Sequence, residues 1–406
     1  MASVADELAK KQKEISVSEF FERNRHILGF DSQVKSLIMG IKEAVDNSLD
    51  ACEEANILPE IAVTVERVDK DEFRVTVEDN GPGIVKKMIP NVFGRLLYGS
   101  RFHAVRQSRG QQGIGAHAAI IYAQLTSLEP AVIITKTAKD VKGRKIVLKI
   151  DTDTNTPIIF SNEEVTLGYK KHGTRIELMV AGDFTEKVES FISELLLANP
   201  HADLKFTIKT DPDQEARFVH YKRAVSTIPP APKEIKPHLL SMEPGALLEM
   251  ASNDRCCRTA VQFLVVHFVR ISEFKAEQIL TASGHDSSAP PRSLDVEALL
   301  KAARECDLMR PPLDVLSPIG EAELKASLRR VFPDAEFIAT VSRYPWSYRG
   351  VPFQVEVGVA YGGESVIKDC GAAHESLKSK VIRLGNKCPL IYDSKDCLLY
   401  KVVKEV

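Results

Sequence analysis

Apolar side chains recur every three or four residues in the segment that follows Ser32. They are Val34, Leu37, Ile38, Ile41, Val45 and Leu49. Serine is a preferred helix-capping residue, and this spacing places the apolar side chains on one face of a helix. The pattern therefore predicts a long amphipathic helix from Ser32 to Ala55.

Alternation of apolar and polar residues predicts strands in the first half of the chain. The runs are IAVTVERV from Ile61, EFRVTVE from Glu72, AVIITKT from Ala131, RKIVLKI from Arg144 and TRIELMV from Thr174. Several of these runs follow one another without a helix between them, so hairpins are expected. This is an α/β layer arrangement with hairpins and not the regular strand–helix alternation of a Rossmann domain.

A proline-rich segment, Ile228 to His238, marks a boundary, because its four prolines fit neither a helix interior nor a central strand. From Gly245 to about Arg330 the pattern is helical, apart from a loop from Gly284 to Ser293. Strand-like sequence returns after Glu336 in the runs FIATVSRY, FQVEVGVAY and LLYKVVKEV. We therefore expect a helical middle region between two ends that contain strands.

Charge and composition narrow the class of protein. The 54 lysines and arginines nearly cancel the 56 aspartates and glutamates, leaving a formal net charge of −2. The chain thus lacks the net positive charge of a protein coated with nucleic acid. This balance does not exclude a local basic groove. The sequence contains no run of about 18 apolar residues, so no membrane span is predicted. The N-terminal residues do not resemble a secretory signal. The seven cysteines are odd in number and show no CxxC spacing, so a reducing, cytosolic-type compartment is expected, without a zinc site or disulfide framework.

The polar side of the predicted helix carries three acidic residues and one amide. Glu43, Asp46, Asn47 and Asp50 fall within about a third of its circumference. One interpretation is a solvated polar face, the usual case for a helix. The other is a ligand site, because these carboxylates have no lysine or arginine among them and repel one another unless a cation joins. Glu43 and Asn47 are four residues apart, where a carboxylate can hold a water while the amide oxygen holds a metal ion.

The strand from Glu72 leads into Asp79-Asn80-Gly81-Pro82-Gly83. Asn-Gly and Pro-Gly are strong turn signals, so a plain turn is one interpretation. The other is an aspartate at a strand end, beside glycines that let a flat ligand lie close to the backbone. His172-Gly173-Thr174 leads a later strand, which by itself is an ordinary strand start.

Three glycines, Gly110, Gly113 and Gly115, precede the helical run AHAAIIYAQL. Glycines before a helix expose backbone N–H groups to an anion, and the helix dipole adds to the attraction. No apolar strand precedes them and no Lys-Ser or Lys-Thr follows, so neither a Rossmann loop nor a Walker A loop is indicated. The preceding segment, Gly94 to Arg109, is poor in apolar residues and contains four arginines, which suits a mobile lid over phosphates.

In combination these features resemble the GHKL ATPases. The pattern is Glu-x-x-x-Asn on a helix, Asp-x-Gly-x-Gly after a strand, a glycine-rich lid and a later Gly-Thr, in this order. Glu43 favours the ATP-hydrolysing members over the histidine kinases. Six segments are similar to the B subunits of type IIB topoisomerases, the topoisomerase VI family: KEAVDNSLDACEEANILP, VEDNGPGI, LLYGSRFH, SRGQQGIG, PPLDVLSPIGEAEL and PFQVEVGVAYGG. The resemblance extends over nearly the whole chain.

The resemblance implies an α+β fold in three parts. Residues 1–228 would form a Bergerat (GHKL) α/β sandwich ATPase domain with an N-terminal dimerisation segment. Residues 229–310 would form a linker and a helix–two-turns–helix insert. Residues 311–406 would begin a transducer domain with a ribosomal-protein-like βαβ fold, present only in part. The family's lysine that contacts the γ-phosphate lies further along than any residue here and is not assigned.

The resemblance also implies a role for each matched residue. Glu43 would be the general base that activates water, and Asn47 would bind Mg²⁺. Asp79 would accept a hydrogen bond from the adenine amino group, with Gly83 near the base and Thr174 supporting adenine through water. The other nucleotide contacts, made by the lid and largely through backbone amides, would be Ser100, Arg101, Gly110, Gln111, Gln112, Gly113, Ile114, Gly115, Ala116 and His117. The family usually has GIGIS where this chain has Gly113-Ile114-Gly115-Ala116-His117, which leaves the role of His117 open.

The expected function is ATP binding and hydrolysis, with Mg²⁺, by the ATPase subunit of a type II (IIB) DNA topoisomerase. ATP binding would close two B subunits into a dimer around a transported double-stranded DNA segment, while a DNA-cleaving A subunit makes the break. The expected location is the cytoplasm with the nucleoid, or the nucleus in a eukaryote, with no membrane partner. Two alternatives stay open: another GHKL clamp ATPase of the MutL or chaperone type, and a B-like scaffold subunit of a meiotic DNA-break complex.

Overall fold

A computed structural model describes residues 17–96, 98, 106–109, 114–166, 171–211, 213–370 and 379–405. The helices are α1 Val17–Leu28, α2 Gln33–Glu54, α3 Ile89–Gly94, α4 Gly115–Thr126, α5 Glu186–Leu197, α6 Pro244–Asn253, α7 Ala260–His267, α8 Glu273–Ala282, α9 Val296–Glu305, α10 Glu321–Val331, α11 Glu364–Asp369 and α12 Leu398–Glu405. The strands are β1 Glu60–Asp69, β2 Glu72–Glu78, β3 Ala131–Lys136, β4 Gly143–Asp151, β5 Thr156–Val165, β6 Gly173–Ala181, β7 Asp203–Lys209, β8 Arg217–Tyr221, β9 Phe337–Ser342, β10 Trp346–Tyr348, β11 Val351–Phe353, β12 Glu356–Tyr361, β13 Leu384–Gly385 and β14 Cys388–Pro389.

Helix α2 is the long helix predicted from the apolar repeat. Ser32 has an extended backbone, and its side chain accepts a hydrogen bond from the N–H of Lys35, 3.3 Å away. This bond satisfies one of the donors that the first turn of a helix leaves unpaired. Leu37, Ile41 and Val45 are fully buried. Both the helix and its cap are therefore confirmed.

The first eight strands form one mixed sheet with the order β5-β4-β3-β6-β2-β1-β7-β8. Neighbouring strands are antiparallel except β1 and β7, which run parallel with Ile61 opposite Leu204. The five predicted strands correspond to β1, β2, β3, β4 and β6. This arrangement agrees with the predicted α/β layer with hairpins.

The two faces of this sheet differ in polarity. In β1 the side chains of Ile61, Val63 and Val65 are buried at alternate positions, as the period of a strand requires. These side chains and their equivalents on the neighbouring strands pack against α2, α4 and α5. The opposite face carries polar side chains such as Thr64 and Arg74. The first part of the chain is therefore a two-layer α/β sandwich.

The helical region has an apolar core of its own, formed by side chains such as Leu247, Phe263, Ile279 and Leu299 from α6, α7, α8 and α9. Neither a helix nor a strand interrupts the described proline-rich segment from Ile228 to His238. The predicted helical middle region after this segment is thus confirmed.

The C-terminal part contains short strands and helices. Strands β9 and β12 pair antiparallel, and α10 packs on them through a third apolar cluster that includes Leu324, Leu328 and Phe332. The run FQVEVGVAY is divided between β11 and β12.

The strand predicted for LLYKVVKEV is wrong, because residues 398–405 form helix α12. Its apolar residues form two adjacent pairs, Leu398-Leu399 and Val402-Val403. The members of one pair lie three or four positions from those of the other, or five for the outermost two, which is a helical spacing. Valine has a strong strand propensity, but such a propensity is only a weak guide without alternation.

The membrane and cysteine predictions can be compared with the structure. Within the described residues, no helix has both the length and the apolar character needed to span a bilayer. All seven cysteines are free thiols.

Candidate functional site

The carboxylate of Asp79 lies at the end of β2 and is held by three donors. Its Oδ1 accepts hydrogen bonds from the backbone N–H of Gly81 at 2.8 Å and of Thr174 at 3.1 Å. Its Oδ2 accepts a hydrogen bond from the Ser48 hydroxyl at 3.1 Å. Asp79 is only 6% exposed. These bonds fix a hydrogen-bond acceptor at the junction of β2, β6 and α2.

Two glycines allow the chain to close around Asp79. Gly83 has φ of +72°, and a Cβ there would lie 2.1 Å from the carbonyl oxygen of Lys136. Gly173 has φ of +142°, and a Cβ there would lie 2.2 Å from the carbonyl oxygen of Asp79. Larger residues would force the turn after β2 away from β3 and β6.

The side chain of Thr174 on β6 contacts a threonine on the neighbouring strand β3. Its hydroxyl lies 3.0 Å from that of Thr135, which also accepts a hydrogen bond from the N–H of Ile84 at 2.9 Å. The turn after β2 is thereby bonded to both β3 and β6.

A cavity opens above Asp79, and about 610 Å³ of space lies within it and its solvent-open mouth. Its walls are mainly apolar, and they come from α2, β2, β6, α3, α4 and the turn after β2. The wall residues are Gly40, Ala44, Asn47, Ser48, Ala51, Val77, Asp79, Pro82, Gly83, Ile84, Phe93, Ala116, Ala119, Thr174, Ile176 and Leu178. An apolar slot with one fixed carboxylate suits a flat ring that carries a hydrogen-bond donor.

Five residues predicted for the site meet in this cavity: Asn47, Asp79, Gly83, Ala116 and Thr174. They come from four separate segments of the chain. The alternative of a plain turn at Asp79 therefore does not describe the local structure fully, since the turn forms part of a pocket wall.

Glu43 lies beside the first residue of α4. A Cβ on Gly115 would be 1.7 Å from Glu43 Oε2, so a larger residue there would displace the Glu43 carboxylate. The Nζ of Lys42 is 2.8 Å from Glu43 Oε1. Burial raises the pKa of Glu43, while the charge of Lys42 opposes that increase. The carboxylate is thus buried, oriented and more basic than an exposed one.

Asn47 is exposed and lies one turn after Glu43. Its Nδ2 donates to the backbone carbonyl of Glu43 at 2.7 Å. The amide oxygen is therefore the atom that remains for a ligand from the cavity. Oxygen ligands of this kind suit a hard cation such as Mg²⁺.

The acidic face of α2 is not a solvated face. Glu43, Asp46 and Asp50 are each less than 10% exposed. Lys42 lies 2.9 Å from Asp46, and Arg109 lies 2.6 Å from Asp50. The repulsion expected from the sequence is therefore relieved by two cations of the protein itself. Lys42 was overlooked although it is adjacent to Glu43, and Arg109 has no sequence signal because it lies 59 residues from Asp50.

The arginines of the predicted lid do not all face a ligand. Arg109 is buried in contacts with Asp50 and Glu53, and Arg106 lies 2.5 Å from Glu54. The carboxylates of α2 thus bind two of the four arginines in the segment predicted to be a lid, and the lid itself stays a prediction. Arg95 is exposed.

The remaining predicted residues are placed as follows. Ile114 occupies the capping position of α4, and His117 is buried in its first turn with 4% exposure. The others lie outside the described residues: Ser100, Arg101, Gly110, Gln111, Gln112 and Gly113.

One cluster of potential metal ligands was not anticipated from sequence spacing. In the described residues, ligand atoms of Asp254, Cys257 and His267 lie within 4.8 Å of one another. Asp254 already accepts hydrogen bonds from the N–H groups of Cys256 and Cys257 and contacts His267 Nε2 at 3.2 Å. These bonds account for the cluster as a turn after α6, and it lies in the helical region.

Two family profiles match this chain. The profile of histidine kinase-, DNA gyrase B- and HSP90-like ATPases matches residues 33–156, which contain Glu43, Asn47, Asp79 and Gly115. The profile of the topoisomerase VI B subunit transducer matches residues 311–406. The first profile agrees with the predicted GHKL fold.

Similarity over nearly the whole chain is found to proteins named as the B subunit of type 2 DNA topoisomerase 6. The Archaeoglobus fulgidus protein is 45% identical over 98% of this chain and 64% of the relative. The Methanococcoides burtonii protein is 43% identical over 100% of this chain and 64% of the relative. The Metallosphaera sedula protein is 34% identical over 98% of this chain and 74% of the relative. The chain thus spans about 64% of the length of the first two relatives.

Proposed function

This chain belongs to the family of type 2 DNA topoisomerase 6 B subunits, and from that premise we propose that it binds and hydrolyses ATP as the ATPase component of such an enzyme. The observation that carries the proposal is the meeting of Asp79, Asn47 and Glu43 around one cavity. Asp79 and Asn47 line the cavity, and Glu43 lies beside Gly115, next to the wall residue Ala116.

The adenine ring would occupy the apolar cavity over Asp79. The carboxylate can accept from the exocyclic amino group, because it is a fixed acceptor with no donor of its own. Gly83 would lie beside the ring as part of the cavity wall, and Thr174 would hold a bridging water. This assignment makes the site specific for a purine with an amino group at that position.

The triphosphate would extend from the cavity toward α4. Helix α4 begins at Gly115, and the N–H groups of its first turn can face an anion, assisted by the helix dipole. The amide oxygen of Asn47 would hold Mg²⁺, which would supply positive charge to the phosphates. Asn47 and the start of α4 flank the cavity from two sides.

Glu43 would accept a proton from the attacking water. Its carboxylate lies one helical turn before Asn47, and its raised pKa favours proton abstraction. Lys42 keeps the carboxylate charged and limits its rotation through the 2.8 Å contact. The alternative of a scaffold protein without catalysis is not favoured by a buried, oriented base at this position.

The activity and partners of the whole enzyme belong to the same proposal. We propose that ATP binding pairs two copies of this chain, and that an A subunit cleaves the DNA duplex that the pair surrounds. We also propose domain boundaries at 228/229 and 310/311. Separate apolar cores in the ATPase and helical parts support the first boundary, and the span of the transducer profile supports the second.

Replacement of Glu43 tests the proposed chemistry. Glu43→Ala should abolish ATP turnover, because no base remains at the water, while binding of a non-hydrolysable ATP analogue should persist through Asp79. Turnover is measured by phosphate release and binding by calorimetry. Glu249→Ala, on an exposed face of α6, is the matched control and should behave as the wild type. Unchanged turnover in Glu43→Ala would remove Glu43 from its role.

A further inference from the structure

Residues 106–109 are held by parts of the chain that are distant in sequence. Arg109 is 3% exposed, and its guanidinium lies 2.6 Å from Asp50 Oδ1 and 2.6 Å from Asn199 Oδ1. It also pairs with both carboxylate oxygens of Glu53. A buried arginine needs partners for its charge, so the position of its two terminal nitrogens is fixed by α2 and by Asn199, just after α5.

Gln107 connects the same segment to residues matched by the transducer profile. Its Oε1 accepts a hydrogen bond from the N–H of Ser317 at 2.8 Å, and its Nε2 donates to the Ser317 carbonyl at 3.3 Å. A side-chain amide that bonds both backbone groups of one residue acts like a short strand pairing. Ser317 itself is 2% exposed, so the connection is shielded from water.

Lys387 extends this connection. Its Nζ donates to the Ser317 hydroxyl at 2.7 Å, and its carbonyl accepts a hydrogen bond from Asn199 Nδ2 at 3.0 Å. Lys387 forms the turn between β13 and β14 with Asn386, and both residues have positive φ, 66° and 50°. Consecutive side-chain-bearing residues rarely adopt this conformation, which indicates that the surrounding bonds hold the turn in place.

The contacts form a closed ring through Gln107, Ser317, Lys387, Asn199 and Arg109. The ring joins the stretch that leads into Gly110 to residues 317 and 387 of the transducer match. Through Asp50 and Glu53 it is also bonded to α2, the helix that carries Glu43 and Asn47. A displacement of Ser317 or Lys387 would therefore be transmitted to both sides of the nucleotide site.

We propose that this ring couples nucleotide binding to the position of residues 311–406, with Gln107 and Lys387 as positioning residues. The proposal rests on the proposed function, since it takes ATP to bind between Asp79 and Gly115. Nucleotide held by Asn47 on α2 should stabilise the ring through Asp50 and Glu53 of the same helix, and thereby the turn at Lys387. Because coupling between two sites is reciprocal, loss of the ring should also lower nucleotide affinity.

The chain offers a matched control. Asn155 pairs with Leu96 in the same two-way manner, accepting from the N–H at 2.8 Å and donating to the carbonyl at 3.2 Å. Asn155 lies in the turn between β4 and β5, so this clamp is tied to the sheet and not to residues 311–406. Gln107→Ala and Asn155→Ala therefore each remove a side-chain amide that makes two hydrogen bonds to the backbone of a single residue.

Hydrogen exchange measured by mass spectrometry tests the coupling. Peptides that cover residues 313–320 and 384–391 are followed with and without a saturating non-hydrolysable ATP analogue and Mg²⁺. In the wild type and in Asn155→Ala, the analogue should slow exchange in both peptides about fivefold or more, the lower end of typical allosteric coupling. In Gln107→Ala and Lys387→Met that slowing should disappear, although calorimetry still detects binding. Gln107→Asn, which is one methylene too short to reach Ser317, replaces Gln107→Ala if the latter does not fold.

Each result decides between distinct conclusions. Slowing in Gln107→Ala equal to that of the wild type overturns the coupling, and so does an equal loss in Asn155→Ala. A wild type that binds the analogue without slowed exchange at 384–391 overturns the coupling and leaves the proposed function intact. A wild type that does not bind the analogue contradicts the proposed function itself.

Discussion

The pKa of Glu53 is lowered by residues that are distant from it in the sequence. It accepts hydrogen bonds from Arg109 and from His201, the latter at 2.8 Å. Burial raises the pKa of Glu53, but the bonds to His201 and Arg109 outweigh it and lower the pKa to about 2. Burial lowers the pKa of His201, so this imidazole is neutral at pH 7 and donates through Nε2. Glu53 is therefore held as a carboxylate in the folded protein.

The depressed pKa of Glu53 predicts a pH-dependent stability. The folded-state pKa of about 2 lies below the ordinary value of 4.5, so the stabilisation is fully present above about pH 4.5 and is lost as the pH falls toward 2. Glu53→Gln should lower the free energy of unfolding by about 3 kcal/mol at pH 7, and this difference should shrink below pH 4.5. Urea unfolding at pH 7 and at pH 3 measures it.

The control for this prediction is Glu22→Gln, which breaks an exposed pair with Arg25. Such surface pairs contribute about 0–1 kcal/mol, so stability should change little at either pH. An equal loss in Glu53→Gln at both pH values would show that the ionisation of Glu53 is not what stabilises the fold.

The candidate site residues that the sequence predicts have their partners nearby in the chain. Asp79 with Gly83, and Glu43 with Asn47, are recognisable because strand ends and helix periodicity bring them together. Arg109 and Lys387 were not assigned to contacts, because their partners lie 56 or more residues away in the chain. Only the folded structure shows which groups each of them contacts.

At the level of elements, the close approach of α2 and α4 is central to the site. Gly115 is the first residue of α4 and faces the Glu43 carboxylate without room for a Cβ. Because α2 carries the proposed base and α4 begins at the proposed phosphate side, the position of the Glu43 carboxylate between them would determine where water and phosphate meet. A single methyl group at this contact would displace the Glu43 carboxylate.

Gly115→Ala should therefore reduce ATP turnover roughly 100-fold, since a displacement of about 1 Å at a reacting group has that order of effect. Nucleotide binding should decrease much less, because the adenine cavity is unchanged. Phosphate release and calorimetry give the two values. Gly245→Ala, in the first turn of α6 with no atom within 4 Å of the new Cβ, is the control and should leave turnover unchanged. Normal turnover in Gly115→Ala would contradict the contact between Gly115 and Glu43.

Some elements followed from the sequence and others did not. Strands β1 and β2 alternate clearly and were predicted, whereas β5 and β8 lie at the sheet edges with mostly exposed side chains and lack that pattern. The parallel pairing of β1 with β7 joins residues about 140 positions apart and has no local signature. Helix α12 was mistaken for a strand because its valines outweighed its helical spacing.

The whole molecule combines separate cores with polar connections between them. One apolar core lies under the sheet, a second lies in the helical region and a third surrounds α10. The third core also includes Leu197 from the end of α5, close to Asn199 of the buried ring. In the proposed coupling, nucleotide binding at the sheet would affect residues 311–406 through these contacts.

Calorimetric titration tests most directly whether the cavity over Asp79 binds adenine. A non-hydrolysable ATP analogue and its inosine counterpart, which lacks the amino group, are titrated with Mg²⁺ into the wild type and Asp79→Asn. The wild type should prefer the adenine analogue. Asp79→Asn should weaken that analogue about tenfold or more, a difference of about 1.4 kcal/mol, and leave the inosine analogue nearly unchanged. Equal affinity of the wild type for both analogues, or equal weakening of both in Asp79→Asn, would contradict the account.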